Sequence, residues 1–201
     1  MDADILIRGP IGELLTLNLV SHSTAGVQDV YVPQIGSRGG IAPWRGLGLD
    51  PQAKIVNTGV LVMDLDRWRE ERIGKRALDL AVRLHARFGW ADQAALNAVL
   101  NGHWHELPPR LNTMKSVFDD DSGTYAVFGR EEVEAAREDP AIFHFEGAVK
   151  PRHAKSAHAF TGEWRVLAAE LGWHVFPHRL NWPRRRARSL IRTAAHAARK
   201  L

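Results

Sequence analysis

Apolar and polar positions alternate along the chain in two distinct rhythms. Ile5-Leu6-Ile7 is a short apolar run closed by Gly9-Pro10, which reads as a strand cut off by two turn-formers. Thr24 to Val30 repeats the pattern in a second short strand. The stretch from Pro33 to Pro51 is rich in Gly and Pro, has little periodicity and reads as a long loop. Thr58 to Leu65 is almost unbroken in its apolarity, the signature of a strand buried on both faces. Asp66-Arg67-Trp68 then opens a helix expected to run to about Phe88, and a second helix is expected from Asp92 to Asn101. On that second helix Ala95, Leu96, Val99 and Leu100 form the inner face. Ile142-Phe143-His144-Phe145 is a further short strand. Strands alternating with helices predict an α/β layered domain.

Composition narrows the function classes. The 201 residues include no cysteine, which removes disulfide scaffolds, thiolate metal sites and a cysteine nucleophile, and fits a reducing compartment. No apolar run approaches the roughly 18 residues of a membrane span, and the N-terminus lacks the order of a signal peptide. These features predict a cytoplasmic protein. The net charge of +4 is unevenly placed: residues 179–201 hold eight Lys and Arg and no carboxylate, leaving residues 1–178 with 19 basic against 23 acidic side chains. The expected organisation is therefore a body of 1–178 and a basic segment of 179–201. In that segment Pro183 can begin a helix whose stripe is Ala187, Leu190, Ile191, Ala194, Ala198 and Leu201, with Arg188, Arg192 and Arg199 off it. Such a helix is suited to an anionic membrane surface or to packing on the body. An acidic body without a nucleic-acid-binding motif argues against nucleic acid as a partner.

Four groups of residues could carry chemistry. Asp2 and Asp4 stand two apart in a strand, so both carboxylates project to one side, where they can share a hard cation or simply be solvated. His144 is a candidate cation ligand or a buried core imidazole. Gly147 allows close backbone approach three residues on, and Lys150 offers a point charge for a phosphate. Asn57 precedes the buried strand, and could equally close the loop before it. Asp92-Gln93 opens a helix, where Asp92 could be a plain N-cap.

In order along the chain these pieces resemble the family 8 glycosyltransferases, retaining enzymes of the GT-A fold. The resemblance covers most of residues 1–165. It rests on Asp2-Ala3-Asp4, on Asn57-Thr58-Gly59 through Trp68, on Asp92-Gln93 with Leu111-Asn112 following, and on the His-x-x-Gly-x-x-Lys-Pro motif of residues 144–151. It implies Asp2, Asp4 and His144 as ligands of Mn²⁺ or Mg²⁺, and Gly147 and Lys150 as contacts of the diphosphate of a UDP-sugar. It implies Asp29 and Asn57 in the sugar and acceptor pocket, with Asp92 and Gln93 as catalytic residues against the transferred hexose. Glycan or lipid-linked acceptors follow from the same resemblance. Arg152 and Val56 stand where the family often has aromatic residues, a difference that bears on acceptor preference. Family members carry β-α units ahead of the acidic motif that hold the base and ribose. The resemblance thus implies a partial GT-A fold, a mixed sheet with flanking helices lacking those nucleotide-binding strands, truncated at its N-terminus, with little transfer by residues 1–201 alone; a non-catalytic remnant or binding module of the same fold is the alternative.

Overall fold

The computed structural model describes residues 1–84, 91–119 and 122–173. Its strands form two small sheets. In the first, β1 (Ile5–Ile7) pairs antiparallel with β5 (Ile142–His144), setting Ile5 opposite His144. The second is mixed: β2 (Thr24–Gln28) lies between β3 (Val56–Met63), antiparallel to it, and β4 (His105–Glu106), parallel to it. The α/β class and the mixed sheet with flanking helices are as expected.

Backbone hydrogen bonds join the two sheets at the point that matters for function. Ahead of β1, the Asp2 N–H donates to the Gly59 carbonyl of β3 at 2.8 Å, and the Phe145 N–H donates to the Asp4 carbonyl at 2.8 Å. Thr113 flanks β5 on its other side, accepting from the His144 N–H and donating to the Ile142 carbonyl. The N-terminal residues are therefore anchored to β3 and β5 at once.

The period of two in Phe143-His144-Phe145 separates the faces of β5. Phe143 and Phe145 are fully buried in an aromatic cluster with Phe118, Phe160 and Trp164, at centroid separations of 4.8 Å for Phe143–Phe145 and 4.9 Å for Phe143–Phe160. Edge-on pairs of this kind contribute about 0.5–1.5 kcal/mol each beyond the area they bury. His144 is thereby turned to the opposite face.

Three sequence expectations differ from the structure. The helix after β3 is not continuous: α3 (Leu65–Glu70), capped by the Asp64 carboxylate on the Asp66 and Arg67 N–H groups, is separated from α4 (Ile73–Leu84) by Arg72 at φ 53. In one unbroken helix Trp68 and Ile73 would be about 140° apart, yet they share one core cluster with Val56, Leu100 and Trp104. The turn at Arg72 brings them together. The expected extension to Phe88 enters residues 85–90, outside the described residues. Secondly, the stretch 33–51 is less irregular than its composition suggests, because Ile35 and Ile41 are fully buried and Trp44–Leu47 forms a short helix, α2. Finally, α5 (Ala91–Leu100) buries more than one face: Ala94, Ala95 and Ala98 pack toward α4, whereas Leu96, Val99 and Leu100 pack toward β3 and α3. The basic segment 179–201, with the helix expected from Pro183, lies outside the described residues. Among the described residues no helix is long and apolar enough to cross a membrane.

A buried asparagine fastens α5 to the sheet. Asn97 Oδ1 accepts the Val56 N–H at 2.7 Å while its Nδ2 donates to the Val56 carbonyl at 2.8 Å, as a neighbouring strand would. Asn97→Ala should destabilise the protein by about 2–4 kcal/mol, because two buried backbone groups lose their partner, and chemical denaturation should read this as a lower midpoint.

Candidate active site

Asp2, Asp4 and His144 converge. One ligand atom from each lies within 4.8 Å of the other two, with His144 Nε2 at 3.8 Å from Asp2 Oδ2 and 3.6 Å from Asp4 Oδ1. Asp2 and Asp4 do not stand in a strand as the sequence suggested: β1 begins at Ile5, with a bend at Ala3 and Asp4, and the backbone hydrogen bonds of Asp2 to Gly59 and of Asp4 to Phe145 bring the pair to the imidazole. Two hard carboxylates and one imidazole suit Mn²⁺ or Mg²⁺ and leave coordination positions for other ligands. The donor set therefore fits the cation that the sequence pattern implies.

Lys150 returns to the same place. Its ammonium donates to Asp4 Oδ2 and, at 2.8 Å, to the Phe145 carbonyl. Gly147 makes the reversal between them at φ 80, a conformation open to glycine, while its absent side chain would meet nothing. Burial of Asp4 raises its carboxyl pKa. The hydrogen bonds and charges of His144 and Lys150 outweigh that, so Asp4 is held well below the usual carboxylate range.

A second wall faces this group across a cleft of about 750 Å³, a size typical of small-molecule sites. Gln93, in the first turn of α5, is fixed at both ends: its Oε1 accepts from the Thr58 N–H and Oγ1 at 3.2 Å, and its Nε2 donates to Asp29 Oδ2 at 3.0 Å. Asp92 is exposed at the rim. It lies inside the first helical turn, not at the N-cap, and accepts the Gln93 N–H. Asp29, at the end of β2, accepts the Tyr31 and Val32 N–H groups on Oδ1 and Asn57 Nδ2 on Oδ2, each at 2.9 Å. All nine residues singled out by the sequence line this cleft: Asp2, Asp4, Asp29, Asn57, Asp92, Gln93, His144, Gly147 and Lys150. Asp29 and Asn57 are nevertheless buried and engaged with the protein itself.

Several residues of the site went unassigned in the sequence. Asn112 bridges Asn57 Oδ1, at 2.9 Å, to His144 Nδ1, at 3.1 Å. Tyr31 donates its hydroxyl to Glu146 at 2.8 Å across the cleft rim; burial, followed by the charge of Glu146, pushes the phenol pKa up, so it remains a donor. Asn112 appeared only as part of a motif, and a tyrosine and a glutamate 115 positions apart carried no signal. Val56, by contrast, is fully buried and bracketed by Asn97, so its departure from the family pattern is a matter of packing and lies outside the cleft wall.

The profile of the family described as glycosyl transferase family 8 matches residues 1–156. The chain belongs to glycosyltransferase family 8. Its curated relatives include general stress protein A of Bacillus subtilis (strain 168), 27% identical over 178 residues, covering 87% of this chain and 59% of the relative. A lipopolysaccharide 1,2-glucosyltransferase of Escherichia coli (strain K12) is 24% identical, covering 86% of this chain and 49% of the relative. The family 8 chain thus spans about half the length of the curated relatives it matches. Among solved structures, galactosyltransferase LgtC, in complex with donor and acceptor sugar analogs, superposes with a TM-score of 0.65 at 21% identity, over 83% of this chain and 58% of that one. The glycosyltransferase GlyE of Streptococcus pneumoniae TIGR4 follows at 0.59, over 83% and 38%. Those likenesses establish the GT-A fold.

Gly59 holds this site open for its imidazole. A Cβ there would stand 2.3 Å from His144 Cε1 and 2.5 Å from Nδ1, with Asn57 Oδ1 at 3.0 Å. Gly59→Ala should displace the ring from Asp2 and Asp4, weakening Mn²⁺ binding about tenfold or more; titration of the metal by electron paramagnetic resonance reads the loss.

Proposed function

We propose that the protein is a retaining hexosyltransferase that moves a hexose from a UDP-sugar to a glycan or glycolipid acceptor, dependent on Mn²⁺ or Mg²⁺. The observation that carries this reading is the convergence of Asp2, Asp4 and His144 beside Lys150 in one cleft. A cation held by those three would supply charge compensation for the donor diphosphate and the leaving UDP.

The chain's own groups are assigned as follows. Asp2, Asp4 and His144 hold the cation, and Lys150, on the loop turned by Gly147, meets the phosphates. Asp92 hydrogen-bonds hydroxyls of the transferred hexose. Gln93, held by Thr58 and Asp29, sits beneath the anomeric carbon. With no carboxylate among the described residues set as a nucleophile, the acceptor hydroxyl attacks the anomeric carbon from the face that UDP leaves. The bond to the acceptor oxygen forms as the bond to the phosphate oxygen breaks, and the acceptor proton passes to the departing phosphate. Asp29 and Asn57 shape the floor of the sugar and acceptor pocket. The reading assigns the protein to the cytoplasm, with residues 183–201 against an anionic membrane surface suited to a lipid-linked acceptor; the sequence pattern of that segment supports it.

Calorimetric titration tests the donor site directly. The chain should bind UDP only with Mn²⁺ or Mg²⁺ present, Asp4→Ala should abolish that binding, and chelation should reverse it. Where UDP release from a UDP-hexose is measured, Asp92→Ala should lower turnover more than donor affinity. UDP bound equally well in the presence of a chelator would overturn the proposal.

A further inference from the structure

Asp29, Asn57, Asn112 and His144 form a chain of hydrogen bonds whose direction is fixed from one end. An ionised carboxylate only accepts. Asp29 Oδ2 must therefore face the amide nitrogen of Asn57, 2.9 Å away. The Asn57 oxygen is left to the other side, where it accepts the Gly59 N–H at 3.0 Å and Asn112 Nδ2 at 2.9 Å. The Gly59 N–H is backbone, and so it dictates the same orientation independently. Asn112, with its nitrogen committed to Asn57, then turns its oxygen to His144 Nδ1 at 3.1 Å.

A carbonyl oxygen cannot donate, so Nδ1 is the ring nitrogen that carries a proton. Nε2 is the nitrogen that faces Asp2 and Asp4; the charged ring carries a proton there as well, and in the neutral ring it is this Nε2 that holds the lone pair. The arrangement is largely buried: Asp29 is 5% exposed, Asn57 6%, Asn112 0% and His144 4%. Turning either amide over would set N–H against N–H and oxygen against oxygen in a buried site.

We propose that Asn112 is a positioning residue, which with Asp29 and Asn57 fixes His144 as its Nδ1–H tautomer so that Nε2 is presented to a divalent cation between Asp2 and Asp4. The assignment rests on the cation site described above. It also gives Asp29 and Asn57 a task other than touching sugar. Both acceptor oxygens of Asp29 and the oxygen of Asn57 are already used in holding the ring.

The tautomer is measurable without metal. In protein carrying ¹⁵N-labelled histidine, at a pH where the ring is neutral and with His144 assigned from His144→Gln, long-range ¹H–¹⁵N spectra should show a protonated Nδ1 and an unprotonated Nε2. The reverse tautomer would overturn the proposal. Mn²⁺ titration supplies the second readout: Asn112→Leu, which removes the acceptor, should bind the ion about 10–100-fold more weakly. Asn112→Leu binding Mn²⁺ as tightly as the parent, with its fold intact, would also contradict the relay. Absence of Mn²⁺ binding by the parent protein would overturn the cation site, while the spectrum of the metal-free ring would still decide the tautomer.

Discussion

A buried carboxylate that can only accept hydrogen bonds governs this site. Asp29 ends β2 where the strand register with β3 shifts, and it must be satisfied inside the protein. It takes two backbone N–H groups from its own turn, one amide from β3 and one from α5. Leaving such a group unpaired would cost several kcal/mol. The satisfied carboxylate instead locks three elements in register, and with them the positions of Asn57 and Gln93. From Asn57 the constraint passes through Asn112 to His144 and so to the carboxylates ahead of β1. Both walls of the cleft are referred to one buried charge.

The sheets that carry these groups are small, and their stability comes from what packs on them. β5 has only three residues, yet it is paired by β1 on one side, bridged by Thr113 on the other and backed by the aromatic cluster of Phe143 and Phe145. Rigidity at His144 is the result. Asp2 and Asp4 differ from it in burial: Asp4 is partly covered and clasped by Lys150, while the Asp2 side chain is about half exposed. That asymmetry gives one firmly placed pair of side chains and one carboxylate free to adjust, an arrangement compatible with the proposed cation being shared with a substrate.

The acidic pair, His144, Gly147 and Lys150 were legible in the sequence because their chemistry needs particular residue types at short, fixed spacings. The strands were legible because burial on a sheet imposes a period of two or an unbroken apolar run. The break at Arg72 was hidden, since both flanking segments are good helix and only tertiary packing of Trp68 against Ile73 decides between them. Ile35 and Ile41 were hidden in a stretch whose glycines and prolines read as loop. The asparagines were hidden for a different reason. Asn57 reads locally as a loop-closing residue and Asn97 as one position inside a helix, whereas the partners of Asn57, Asn97 and Asn112 lie 28 to 55 positions away. A hydrogen-bond network that crosses the fold leaves no periodic trace.

The proposed cation site draws its three ligands from positions 2, 4 and 144, and diffraction can test it without reference to turnover. Crystals of the protein grown with Mn²⁺ and UDP, measured near the manganese absorption edge, should give an anomalous peak bonded to Asp2, Asp4 and His144 Nε2, with diphosphate oxygens completing its shell. A peak placed elsewhere, or none at this site with UDP bound, would contradict it.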